Sequence, residues 1–113
     1  MIQATKHSLA GFRSAWRTEE AFRIEVGLSM VILPLSFFIG TSWIEVVLLL
    51  GSAVLVLVVE LINTALEKTV DRISHERHPL SAVIKDLGSA AVFLSIAFAS
   101  LVWVLAVLDR LVG

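Results

Sequence analysis

Residues 55–73, LVLVVELINTALEKTVDRI, begin as a membrane span or a buried strand would and then change character. An apolar run leads straight into Glu60, after which Asn63, Glu67 and Asp71 return at helical spacing. On a helix that advances about 100° per residue, these four side chains share one stripe about 80° wide. An ionised side chain at bilayer depth costs on the order of 3 kcal/mol even on a lenient insertion scale, so the stripe has to face protein, water or a cation rather than lipid. Crowded carboxylates also repel, and some take up protons unless a divalent ion or basic groups neutralise them. Asp71 and Glu67 lie near the end of the span, where solvation alone satisfies them. Glu60 follows a long uncharged run and is therefore the acid most in need of a function.

The rest of the chain has the same apolar character. Of its 113 residues, 58% are hydrophobic, more than an ordinary soluble domain carries. Residues 26–44, 46–59 and 87–108 contain no charged side chain. A helix needs roughly 20 mostly apolar residues to cross a bilayer. The first and third runs reach that length alone, and the second does so only if Glu60 and Asn63 are carried inside the membrane or at its edge. The predicted fold is an all-α membrane protein, with transmembrane helices at about 26–42, 44–70 and 82–110 and a surface helix over 1–24, all within one domain spanning 1–113. A cleaved leader is an unsuitable reading of the first span, because charged residues from Lys6 to Glu25 precede it and no small-residue cleavage site follows. There is no cysteine, so disulfides and thiolate chemistry are excluded. A net charge of −1 leaves no basic footprint for nucleic acid.

Orientation follows from the basic residues. Lys6, Arg13, Arg17 and Arg23 precede the first span, while Lys68, Arg72, Arg77 and Lys85 surround the second turn; Arg110 alone lies at the other end. The positive-inside bias places the N-terminus and the second turn in the cytoplasm. Trp43 and Trp103 are then expected to anchor the far interface. In the N-terminal segment, Leu9, Phe12 and Trp16 recur at helical spacing beside Lys6, Arg13 and Arg17, which suits a helix lying in the membrane surface with its cationic stems snorkelling. Thr18 is the expected cap of the next helix, with Glu19 and Glu20 in its first turn.

The third span opens HPLSAVIKDLGSAAV, residues 78–92, with Pro79 suited to a first turn. Lys85 and Asp86 end its polar part, either as an interfacial ion pair or, beside the acids, as a phosphate contact. Gly88, Ser89, Ala90 and Ala91 offer a smooth face for close helix approach. Several acids, an amide and a lysine thus gather at one membrane boundary. Acids with a divalent cation can hold nucleotide phosphates, and a deeper acid can take a proton from a lipid hydroxyl. No P-loop is present. Residue chemistry alone leaves a lipid-modifying enzyme and a proton or cation carrier both open.

The stretch VELINTALEKTVDRISHERHPLSAVIKDLGSAAV, residues 59–92, resembles the small prokaryotic diacylglycerol kinases, with their E-x-x-N-x-A-x-E-x-x-x-D helix followed by K-D-x-G-S-A-A. GFRSAWRTEEAFRIE, residues 11–25, is similar to the same family's N-terminal helix. The resemblance implies a homotrimer with active sites shared between protomers, in a bacterial inner membrane, transferring the γ-phosphate of ATP to a lipid alcohol with Mg²⁺. It implies Glu60 as general base, with Asn63 and Lys85 beside it, and Glu19 and Glu67 as the carboxylates holding the cation with ATP. It also implies Lys85, Asp86, Glu76, Arg77, His78 and His7 as nucleotide contacts. Arg13, Trp16, Glu25, Glu60 and Ser89 are implied to face the lipid. Within the family the substrate is diacylglycerol or, in a Gram-positive branch, undecaprenol, and VDRI and KDLGSAA look closer to the former. His7 stands where a tyrosine is common, an upstream basic residue of many members is expected to lack a counterpart, and Glu20 is an extra acid with no assigned role.

Overall fold

A computed structural model describes residues 2–73 and 78–113 as four helices: α1 (Ile2–Thr18), α2 (Glu20–Ile39), α3 (Trp43–Ile73) and α4 (Pro79–Val112). The last three are long and apolar enough to cross a membrane. At 1.5 Å per residue α2 is ~30 Å long, while α3 and α4 exceed ~45 Å and so outrun a hydrocarbon core of ~30 Å. Measured along α3 from Trp43, Glu60 stands ~26 Å away and Glu67 ~36 Å. If the hydrocarbon core is reckoned from Trp43, Glu60 is the last acid within its thickness and Glu67 lies past it.

The helices meet as a slender bundle in which α3 and α4 form the principal pair and α2 packs on α3. Its dimensions are 55 × 36 × 24 Å. Small and apolar side chains make the contact: Val46, Leu49, Ser52, Ser36, Ser95 and Ala106 are buried, and Leu49 is wholly so. The three buried serines satisfy their hydroxyls locally, each donating to a backbone carbonyl three or four residues earlier. Most other large apolar side chains point outward; Met30 is 75% exposed and Phe93 71% exposed. That surface suits lipid or further protein, not water.

One local expectation changes. Thr18 does not cap α2: its hydroxyl turns back and donates to the Ser14 carbonyl at 2.7 Å, closing α1 instead. The chain breaks at Glu19, which is extended (φ −116°, ψ 105°) and is the N-cap residue of α2 without a side-chain capping bond. Trp103 is tied into the bundle. It is half-buried, and its indole N–H donates to the Leu49 carbonyl at 3.1 Å, tying α4 to α3. A half-buried indole nitrogen needs an acceptor, and here a helix carbonyl supplies it. Trp43, in contrast, is 77% exposed at the start of α3.

Candidate active site

The acidic stripe of α3 lies where α2, α4 and the α1–α2 corner converge. Each expected polar residue finds a different neighbour. Glu60 lies against Glu25 of α2, their carboxyl groups within hydrogen-bonding reach. Two carboxyl groups in contact need a proton or a cation between them. One step further along, the Asn63 amide donates to Glu67 Oε1 at 3.3 Å. Asp71, at the end of the stripe, accepts from Lys85 of α4 at 2.9 Å. The partner of Lys85 is thus Asp71 across the α3–α4 turn, and not its neighbour Asp86.

Gly88 explains how α4 comes so close. A Cβ at that position would run into the Asn63 carboxamide, whose Cγ stands 3.0 Å from it. Glycine leaves room for the amide as it lies here, and a Cβ would push the carboxamide aside. The amide is not fully used, because Asn63 Oδ1 is buried without a partner, as is Glu25 Oε2. Buried polar atoms in native proteins are nearly always satisfied, so two orphans at one end of the bundle mark where a ligand or water belongs.

The corner between α1 and α2 brings Glu19 to the same place. Arg23 donates through Nη1 to the carbonyls of Trp16 at 2.6 Å and Arg17 at 3.4 Å, satisfying the end of α1. Lys68 of α3 reaches across to Glu19 Oε1 at 3.5 Å and to the Thr18 hydroxyl at 3.2 Å. Glu19 and Glu60, distant in sequence, line one recess of about 20 Å³ with Ala15, Phe22, Leu61 and Thr64. That volume holds about one water molecule. Glu25 also lines the head of an apolar groove of about 510 Å³ that runs along α2, α3 and α4 past Leu28, Ile32, Val56 and Ile96 to Trp103.

The remaining expected residues are less gathered. His7, Arg13, Trp16, Asp86 and Ser89 stand exposed on the protomer. His78 caps α4, its Nδ1 accepting from the Leu80 N–H at 3.1 Å. Glu76 and Arg77 lie outside the described residues. Lys68, Arg23 and the Gly88–Asn63 contact were not among the expected site features. The one sequence hint to Lys68 is its place beside Glu67.

A divalent cation fits the donors present. Among the described residues no group of three or more acids or histidines comes together. Small hard cations with nucleotides need only one or two protein carboxylates, the phosphates and water supplying the rest. Glu19 already has a cation, the Lys68 ammonium, as its neighbour.

The family model for prokaryotic diacylglycerol kinase matches residues 6–107. This chain belongs to the prokaryotic diacylglycerol kinase family. It is 47% identical over 103 residues to the diacylglycerol kinase of Haemophilus influenzae, covering 91% of this chain and 87% of that one. The same identity and chain coverage hold for the diacylglycerol kinase of Pseudomonas aeruginosa, with 84% of the relative covered. Against the diacylglycerol kinase of Escherichia coli K12 it is 41% identical over 103 residues, 91% and 84% of the two chains. Membership of this kinase family makes the protein a lipid kinase, a phosphotransferase for which ATP is the implied donor.

Proposed function

We propose that this member of the diacylglycerol kinase family moves the γ-phosphate of ATP to the free hydroxyl of diacylglycerol, leaving phosphatidic acid in the membrane. The observation that carries the residue assignment is the recess shared by Glu19 and Glu60, beside an apolar groove that starts at Glu25. In this reading the groove takes acyl chain and presents the hydroxyl to Glu60. Glu60 accepts the hydroxyl proton as the oxygen attacks the γ-phosphorus in line and ADP leaves. Asn63 holds Glu67 in place, and its free oxygen, with that of Glu25, is available to the glycerol or a bridging water. Lys85 stabilises charge on the phosphoryl oxygens after leaving Asp71. Glu19 and Glu67 would hold Mg²⁺, which, when bound with ATP, would neutralise charge on the phosphates. Asp86, His78 and His7, with Glu76 and Arg77, serve the nucleotide, and Arg13, Trp16 and Ser89 the lipid.

The active assembly in this proposal is a homotrimer with sites shared between protomers, in the bacterial inner membrane with the N-terminus cytoplasmic and α1 on the surface. Exposed apolar side chains along every span support it, as does the gathering of basic residues at one end. The test is an assay of purified protein in mixed micelles with Mg²⁺ and labelled ATP, offering diacylglycerol and undecaprenol in parallel. Label is expected in phosphatidic acid, and removing Mg²⁺ with a chelator is expected to abolish it. Label in undecaprenyl phosphate alone would overturn the substrate assignment.

A further inference from the structure

Lys68 has an unusual position for a basic residue on the exposed side of α3. Its ammonium touches two groups on either side of a chain break: the hydroxyl of Thr18, the last residue of α1, and the carboxylate of Glu19, the residue before α2. The bond directions are consistent. The Thr18 hydroxyl spends its own proton on the Ser14 carbonyl, so its oxygen meets Lys68 as an acceptor. Glu19 contributes no capping bond to α2, so its carboxylate is free for a cation.

Resting on the reading of Glu19 as a ligand of the divalent cation, we propose that Lys68 is the resident counter-ion of that ligand. It holds Glu19 and the α1–α2 corner against α3 when no divalent cation is bound, and it competes with that cation for the same carboxylate. Lys68 is a positioning residue, because it acts through Glu19. Three observations favour competition over a permanent bridge. The contact is long, at 3.5 Å, and the Lys68 side chain is 54% exposed against 32% for Glu19. A pair that loose is weak and yields readily to a doubly charged ion. Lys68 also borders an open groove of about 420 Å³ between α1 and α3, lined by Ser8, Gly11, Phe12 and Thr64, into which its stem can swing.

The experiment is Mn²⁺ binding to purified protein in micelles without nucleotide, read from the paramagnetic resonance signal of free Mn²⁺. Lys68→Met is expected to tighten Mn²⁺ about two- to fivefold, the span that an exposed ion pair allows, while Lys68→Arg binds as the parent. The gain is expected to vanish in the Lys68→Met/Glu19→Gln double variant. Unchanged binding in Lys68→Met overturns the proposal, and so does a gain that survives in the double variant, which would be a general charge effect. Glu19→Gln separates the two readings. If it binds Mn²⁺ as the parent does, Glu19 is not a ligand and both readings fall. If it weakens Mn²⁺ while Lys68→Met is neutral, only the role of Lys68 falls.

Discussion

The two ends of the helical bundle handle their polar groups differently. Among the described residues, the polar contacts at the Trp43 end are closed, and no buried side-chain nitrogen or oxygen there lacks a partner. Ser42 caps the Glu45 N–H at 3.2 Å, Thr41 bonds the Glu45 carboxylate, Arg110 lies 5.5 Å over the Phe38 ring, and Phe37 meets Trp43 edge-on. At the acidic end the contacts join different helices and leave capacity over: Glu25 with Glu60, Lys68 with Glu19, Lys85 with Asp71, and unpartnered oxygens on Glu25 and Asn63. One end is finished by the chain itself. The other is finished only by what binds there, and that difference locates the chemistry better than the number of charges does.

The contrast is most directly broken by exchanging an acid at each end for its amide. Glu60→Gln is expected to lower turnover by about 10²–10⁴-fold, the usual share of a general base, with the protein still folded. Glu45→Gln is expected to leave turnover within about twofold; a comparable loss in both would erase the distinction. Next in size is Glu67→Gln, expected to raise the Mg²⁺ concentration for half-maximal activity by about tenfold or more, since Mg²⁺ relies on few protein carboxylates. A Mg²⁺ titration at fixed ATP reads this directly.

Packing offers a finer comparison. Gly88→Ala puts a methyl group into the Asn63 amide, an overpacking expected to cost about 1–3 kcal/mol in thermal unfolding in micelles. Gly51→Ala and Gly27→Ala meet nothing within 4 Å and are expected to be neutral or slightly stabilising. A smaller loss than that of Gly88→Ala belongs to the Trp43 end. Trp103→Phe loses one indole hydrogen bond to Leu49 and is expected to cost about 0.5–1.5 kcal/mol by the same measurement.

Much of this was legible in the chain. Three uncharged runs located the spans because bilayer thickness imposes a length on any helix that crosses it. The stripe Glu60–Asn63–Glu67–Asp71 was legible because helical spacing is a local property. What spacing cannot convey is how one helix is rotated against the next. For that reason Lys85 meets Asp71 instead of Asp86, and the bond from Trp103 to the Leu49 carbonyl is not visible in the pattern. The break at Glu19 was hidden for another reason. Thr18, Glu19 and Glu20 suit a helix start, yet the corner is held by distant partners, Lys68 and Arg23, whose reach no local pattern records. Glu60 beside Glu25 belongs to the same class: each acid is visible, their meeting is not.

The Lys85–Asp71 bridge has a bearing on ionic strength. It crosses the α3–α4 turn, and both side chains are nearly half open to solvent. Charges so placed feel the surrounding electrolyte, whose screening length shrinks from about 8 Å in physiological salt to about 3 Å at 1 M. The Asn63–Glu67 bond and the Gly88 contact are sheltered and do not respond in that way. Added salt therefore loosens the hold of Asp71 on the lysine while leaving the crossing of α3 and α4 intact, so the electrolyte tunes how readily that cation is released without altering the scaffold that carries it.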